Sequence, residues 1–198
     1  MVAELELNKE RLAKYKALAA AFSYPEGSFF DFFPEVSGEK GELVREYDRL
    51  FRAKDIWLYG TEYMSEHEFQ RSNYLSDISG FYKAFGVEVN SERPDALNAE
   101  LEFMHYLIFK EAKAPTEEKA EICLDAQKKF FTEHLSPAAK AIAQKITAAT
   151  EKLFYKNAAS ELIDFLSQEE EFFNAKWINP PLFCIFSATL SGLKTTEV

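Results

Sequence analysis

Apolar side chains recur every three or four positions along most of this chain, and no segment holds a two-residue alternation over the length of a strand. Leu12, Tyr15, Leu18, Ala19 and Phe22 share one helical arc, with Asn8 placed to cap it and Ser23-Tyr-Pro25 to stop it. An aromatic run from Phe29 to Phe33 leads into Pro34, and Leu43, Val44, Tyr47, Leu50 and Phe51 define a third apolar face. Lys54 to Tyr63 reads as a loop. Ser65 and Glu68 have the spacing of a capping box and open a helix that Gly86 closes. On that helix Tyr74, Leu75, Ile78, Phe81, Tyr82 and Phe85 share an arc that also contains Arg71. Ser72, Ser76, Ser79 and Gly80 lie opposite, small enough to admit a neighbouring backbone.

After a connector from Val87 to Glu92, the next helix starts about Pro94, whose missing N–H costs nothing in a first turn. Asp95 there faces the positive end of the helix dipole. A further helix follows Thr116 with Ala120, Cys123, Leu124, Phe130 and Phe131. Ser136-Pro137 then supplies a serine cap and a proline at the first position. That pattern runs to Phe173, too long for one ordinary helix, so a break is expected near Tyr155 to Ala158. The sum is an all-α fold, one domain over residues 1–198 forming a bundle of roughly eight or nine helices.

One residue violates the pattern. Leu97, Leu101, Met104 and Ile108, widened by Ala96, Phe103 and Leu107, form a broad apolar surface, and Glu100 falls inside it. An ionised carboxylate there needs a partner or an altered pKa. Arg71 is the charged exception on the preceding helix, so the sequence predicts an Arg71–Glu100 pair. Asp95, Asn98, Glu102 and His105 form a separate polar stripe, by default a solvated face.

Composition narrows the function. A formal charge of −10 argues against nucleic acid and anionic lipid and favours a basic partner. Cys123 and Cys184 have neither CxxC nor disulfide spacing, which suits a reducing compartment. The first residues lack an export signal, so a cytoplasmic location is expected. The uncharged tail from Trp177 to Leu193 is interrupted by Pro180-Pro181 and hydroxyl residues, and reads as packed on the core rather than inserted in a membrane. No phosphate-binding loop or dinucleotide fingerprint is present. Glu102-Phe-Met-His105 matches half of a di-iron motif, but no second copy exists, so neither metal nor other cofactor is expected. No enzyme signature holds, which leaves a binding surface, and 19 Phe, 9 Tyr and 2 Trp exceed what a small bundle needs for packing alone, although most of them should be core.

Several segments together resemble one family. Pro94-Asp95-Ala96 with Glu100-Leu-Glu-Phe-Met104 is similar to the "PDH…ELEFM" signature of the TorD/DmsD/NarJ group of molybdoenzyme maturation chaperones. Glu46-Tyr-Asp-Arg-Leu-Phe51 resembles its "EY..LF" element, and Leu75 to Gly86 its "gFY.aFG" helix. Phe130 to Leu135 and Phe154-Tyr155 match later landmarks, so the likeness spans about residues 43 to 170. Two positions depart from it: Ala96 stands where the family has His, and no Trp follows Leu135 in Ser136 to Ala139.

The resemblance implies a TorD-like helical fold and no catalysis. It also implies binding of the twin-arginine type leader of an immature molybdoenzyme catalytic subunit until its cofactor is inserted. By position it implicates Leu50, Phe51, Trp57, Tyr63, Pro94 and Asp95 in peptide binding. Phe81, Glu100 and Glu102 join them on chemical grounds, since paired arginines seek carboxylates and an apolar leader segment seeks rings. The expected site is therefore an acidic, aromatic hollow beside Asp95 and Phe51. Alternatives are a helical enzyme or cofactor-binding protein using a pocket around Glu100 and Arg71, or a plain interaction scaffold. The connector at 87–92 would also let two chains exchange halves as a homodimer.

Overall fold

Helices α1 (Val2–Ala21), α6 (Leu97–Ala112) and α7 (Glu117–Phe130) form the centre of the protein in a computed structural model that describes residues 2–53, 56–65, 67–88 and 93–178. The remaining α-helical segments are α2 (Phe29–Phe32), α3 (Lys40–Tyr47), α4 (Thr61–Met64), α5 (Glu68–Ala84), α8 (Ser136–Ala149) and α9 (Leu153–Ile178). A 3₁₀ turn covers Pro34–Glu39, and wide π turns extend α3 through Asp48–Arg52 and join α7 to α8 through Phe131–Leu135. Among the described residues there is no strand, only an isolated bridge between Tyr59 and Ala96. No described helix is long and apolar enough to cross a membrane.

The arc expected on α6 is the core. Leu97, Leu101, Phe103, Met104, Leu107 and Ile108 are all buried, and each such side chain contributes about 1.5–3 kcal/mol of burial. They merge with Tyr15 of α1, Phe22 just beyond its end, Phe130 of α7, Ile142 of α8 and Leu162 and Leu166 of α9 into one apolar cluster.

Through this cluster runs a buried polar knot that the hydrophobic pattern gives no hint of. Arg11 donates from Nε and Nη2 to the two carboxylate oxygens of Glu169 at 2.6 and 2.7 Å. Tyr15 donates to the same carboxylate at 2.7 Å, and Gln127 accepts from Arg11 at 3.0 Å while donating to Glu111 at 2.6 Å. Four helices, α1, α6, α7 and α9, are tied at one point.

Several boundaries differ from expectation for local reasons. α1 already runs from Val2, so Asn8 lies inside it, with its Oδ1 turned to Arg11 at 3.4 Å. Ser65 is extended and terminates α4, leaving His67 at the start of α5 without a side-chain cap, so the Ser65–Glu68 capping box is not used. Thr61 to Met64 is a helical turn within the expected loop. Ser136 follows directly from the π turn and caps nothing, its hydroxyl donating instead to Glu170 at 3.0 Å. The break in the last helical stretch lies at Thr150 to Lys152, ahead of Tyr155, where the Thr150 hydroxyl accepts the Lys152 N–H at 3.0 Å. Gly86 ends α5 with φ +74°, as its position required.

Among the described residues, no other backbone approaches the small-residue side of α5 at Gly80. Ser72, Ser76 and Gly80 are exposed, and a Cβ added to Gly80 would meet nothing within 4 Å. The connector residues 89–92, and with them the exchange of halves, lie outside the described residues. So do Cys184 and the apolar tail beyond α9.

Candidate functional site

The segment 56–60 is laid antiparallel against the entry to α6. Gly60 N–H donates to the Asp95 carbonyl and Leu97 N–H to the Leu58 carbonyl, both at 2.8 Å. The second bond satisfies a donor that the first turn of α6 leaves open, since Ala96 precedes the helix without a side-chain cap. The helix therefore starts at Leu97, three residues after Pro94.

Asp95, freed from the helix, turns its fully buried carboxylate towards α4. It accepts from Thr61 N–H at 3.0 Å and the Thr61 hydroxyl at 2.7 Å, capping α4 from a distant part of the chain. Arg93 forks onto both oxygens at 3.0 and 2.8 Å and lies over the Tyr59 ring at 4.3 Å. Glu62 beside them is held by Arg93 and Arg71, each at 3.2 Å, longer than a charge-assisted bond at its best.

Beneath this corner lies Glu100, 1% exposed, with Oε1 lacking any hydrogen-bond partner. A Cβ on Gly60 would stand 3.5 Å from that oxygen and from the Tyr74 hydroxyl. The expected Arg71–Glu100 pair is absent: Arg71 stays at the rim with Glu62, and no described Lys or Arg lies within 4.0 Å of Glu100. Burial pushes the Glu100 carboxyl well above the ordinary carboxylate range, and the charge of Asp95 adds to the effect. Burial likewise raises Tyr74 and Tyr82, followed by the nearby negative charge of Glu100 and Asp95.

The folded chain thus holds the Glu100 proton more tightly than the unfolded chain does. Stability falls as pH rises from the ordinary carboxylate range through the raised value. Glu100→Gln should therefore be more stable than the parent by about 1 kcal/mol at pH ~8, with the gain vanishing towards pH ~4. Thermal melts of both proteins at the two pH values test this, and equal melting at both would contradict it.

The exposed side of the corner is apolar. Trp57 is 46% exposed, its carbonyl accepting from the Tyr63 hydroxyl at 2.9 Å, and Lys145 sits 4.9 Å over the Tyr63 ring. Met64 and Phe69, the latter 77% exposed, continue along the chain. Trp57, Tyr63, Pro94, Asp95 and Glu100 are therefore brought to one corner, with the Pro94 carbonyl accepting from Tyr82 at 2.7 Å.

The other candidates lie elsewhere. Leu50 and Phe51 are core residues, Phe51 packed edge-on against Tyr47 and Tyr155, because the π turn directs them inward. Phe81 belongs to a ring cluster with Phe130 and His134. Glu102 points to α1, paired with Lys16 at 2.9 Å, and His105 bonds the Leu12 carbonyl at 2.9 Å. Cys123 is buried, and burial raises its thiol pKa.

Two cavities among the described residues lie away from the expected hollow. One of about 600 Å³ lies between α1, the Pro34–Glu39 turn and the start of α9, and another of about 440 Å³ lies where α7 and α8 meet α9. Neither touches Asp95, Phe51, Glu100 or Arg71. The corner carries an exposed Trp57 over the buried carboxylates of Asp95 and Glu100. Arg93, Thr61 and Glu62 went unpredicted, although Arg93, two residues before Asp95 and next to Pro94, was a readable signal.

The sequence profile of the nitrate reductase delta subunit family matches residues 10–144, which include the second half of α1 and the whole corner. The chlorate reductase assembly chaperone protein of Ideonella dechloratans is 30% identical over 172 residues, 79% of this chain and 87% of the relative. The perchlorate reductase assembly chaperone protein of Dechloromonas aromatica (strain RCB) is 38% identical over 69 residues, 33% of this chain and 31% of that relative.

Proposed function

The chain belongs to the nitrate reductase delta subunit family, and from that premise we propose that it is an assembly chaperone for the catalytic subunit of a molybdenum-dependent reductase. It acts by binding, in the cytoplasm, before the client is assembled or exported, and carries out no reaction of its own. Its contact with the client is the basic, twin-arginine type leader.

The observation that carries this reading is the exposed run of Trp57, Met64 and Phe69 beside the weakly held Glu62 carboxylate. An exposed ring on the pinned 56–60 segment and another in the first turn of α5 suit the apolar part of a leader, and large aromatic side chains are the residues that most often anchor an interface. A leader arginine competes with Arg71 and Arg93 for Glu62, whose two ion pairs are long and partly solvated. The chain's net charge of −10 draws a cationic segment towards it. Asp95 and Glu100 support this surface from within.

Titration of the purified chain with a labelled leader peptide tests the proposal. Affinity is expected to fall by roughly tenfold or more when the arginine pair is replaced by alanine, and again in a Trp57→Ala/Phe69→Ala variant whose melting temperature is unchanged. Binding indifferent to both changes would overturn it.

A further inference from the structure

The π turn between α7 and α8 and the middle of α5 bring together three side chains that the leader site does not use: Asp77, Glu133 and His134. One ligand atom from each lies within 4.8 Å of the others. His134 is only 3% exposed, walled in by the rings of Tyr74, Phe81 and Phe130. Its Nε2 lies 3.0 Å from Asp77 Oδ2, yet neither ring nitrogen makes a hydrogen bond. The carboxylate oxygen is therefore close to the ring nitrogen but off the N–H axis, within reach of an ion that both could ligate. Among the described residues, no lysine or arginine lies within ion-pair distance of Asp77 or Glu133, and both are exposed and free to adjust.

We propose that Asp77, Glu133 and His134 form a divalent-cation site that fastens α5 to the π turn. The 3.0 Å separation matches one edge of a coordination shell with bonds of about 2.0–2.2 Å. The 4.8 Å separation exceeds the span of about 4.2 Å that such bonds allow, so an exposed carboxylate turns inward to complete the set. One imidazole with two carboxylates selects a borderline ion, zinc above manganese, over magnesium or calcium, which take oxygen ligands alone. α5 carries few other ties to this turn beyond ring contacts and the Tyr74 bond to the His134 carbonyl at 3.0 Å. Binding of a cation there therefore raises the melting temperature.

The test uses the full chain after chelator treatment, titrated with zinc chloride by calorimetry and with cobalt(II) followed by its visible absorption. One equivalent per chain, a raised melting temperature, and affinity reduced about tenfold or more in Asp77→Asn and in Glu133→Gln are expected. Because Asp77 and Glu133 are exposed, both variants should melt like the parent without metal. His67→Asn serves as the control and should bind as the parent does. The proposal is overturned by the absence of stoichiometric binding, by zinc affinity unchanged in both carboxylate variants, or by magnesium binding as tightly as zinc.

Discussion

Glu169→Ala is expected to cost about 3–5 kcal/mol of stability, because it strands a guanidinium in the interior. Arg11 is 3% exposed and Glu169 2%, and the two meet in a forked pair that also takes the Tyr15 hydroxyl. Burial works against the charge on Arg11, but the bonds and charge of Glu169 outweigh it and hold the guanidinium pKa above its ordinary value. The Tyr15 hydroxyl is raised well above its usual range by burial, then by the Glu169 charge. Removal of the carboxylate leaves Arg11 with Gln127 at 3.0 Å, a distant Asn8 and the Phe172 ring at 4.0 Å, none of which neutralises it.

A buried pair of this kind is not itself a large source of stability, since desolvation of both ions offsets most of the attraction. The paired variant Arg11→Met/Glu169→Leu should therefore recover to within about 1 kcal/mol of the parent. Urea melts of the four proteins of this double-mutant cycle measure it. A cost below about 1 kcal/mol for Glu169→Ala alone would show that the knot does not hold α1 to α9.

Why this knot escaped the sequence reading is instructive. Arg11 and Glu169 are 158 positions apart, and each sits in a helix whose neighbouring residues already explain the apolar face. Periodicity identifies which side of a helix is buried, but a charge beside that side looks like a solvated flank until the partner helix is placed. Glu100 is a like case: its burial was legible because it falls in the centre of the α6 arc, whereas the diversion of Arg71 to Glu62 was not, since Glu62 lay in a segment with no periodic signal. Leu50 and Phe51 illustrate the reverse case. Family position marked them as contacts, but the local widening of the helix, invisible in composition, turned both into the core. The helices themselves were readable because broad arcs such as Leu97 to Ile108 have one compatible placement. Their ends were less so, because Ser65 and Ser136 have good capping chemistry that tertiary contacts preempted.

Asp95→Ala should lower stability by about 2–4 kcal/mol and weaken leader binding as well, in contrast to surface changes at Trp57 and Phe69. The carboxylate has no solvent to return to: its oxygens are shared between the Arg93 fork and the two Thr61 donors. Without it, the Thr61 N–H at the start of α4 loses its acceptor and Arg93 keeps Glu62 at 3.2 Å, the Thr61 hydroxyl and the Tyr59 ring. Asp95→Asn should fall between parent and alanine variant, since its amide oxygen can still accept from Thr61 while its NH₂ faces the donors of Arg93. Loosening spreads along the chain to segment 56–60, which is pinned by the Gly60 and Leu97 amide bonds, and so to the exposed Trp57. Hydrogen exchange separates the effects. In Asp95→Ala the Gly60 and Leu97 amides should lose protection ahead of the α6 interior, while in Trp57→Ala both should remain protected although peptide affinity falls. Unchanged protection of these two amides in Asp95→Ala would mean that the corner is held by its backbone bonds alone, and that Asp95 does not position the binding loop.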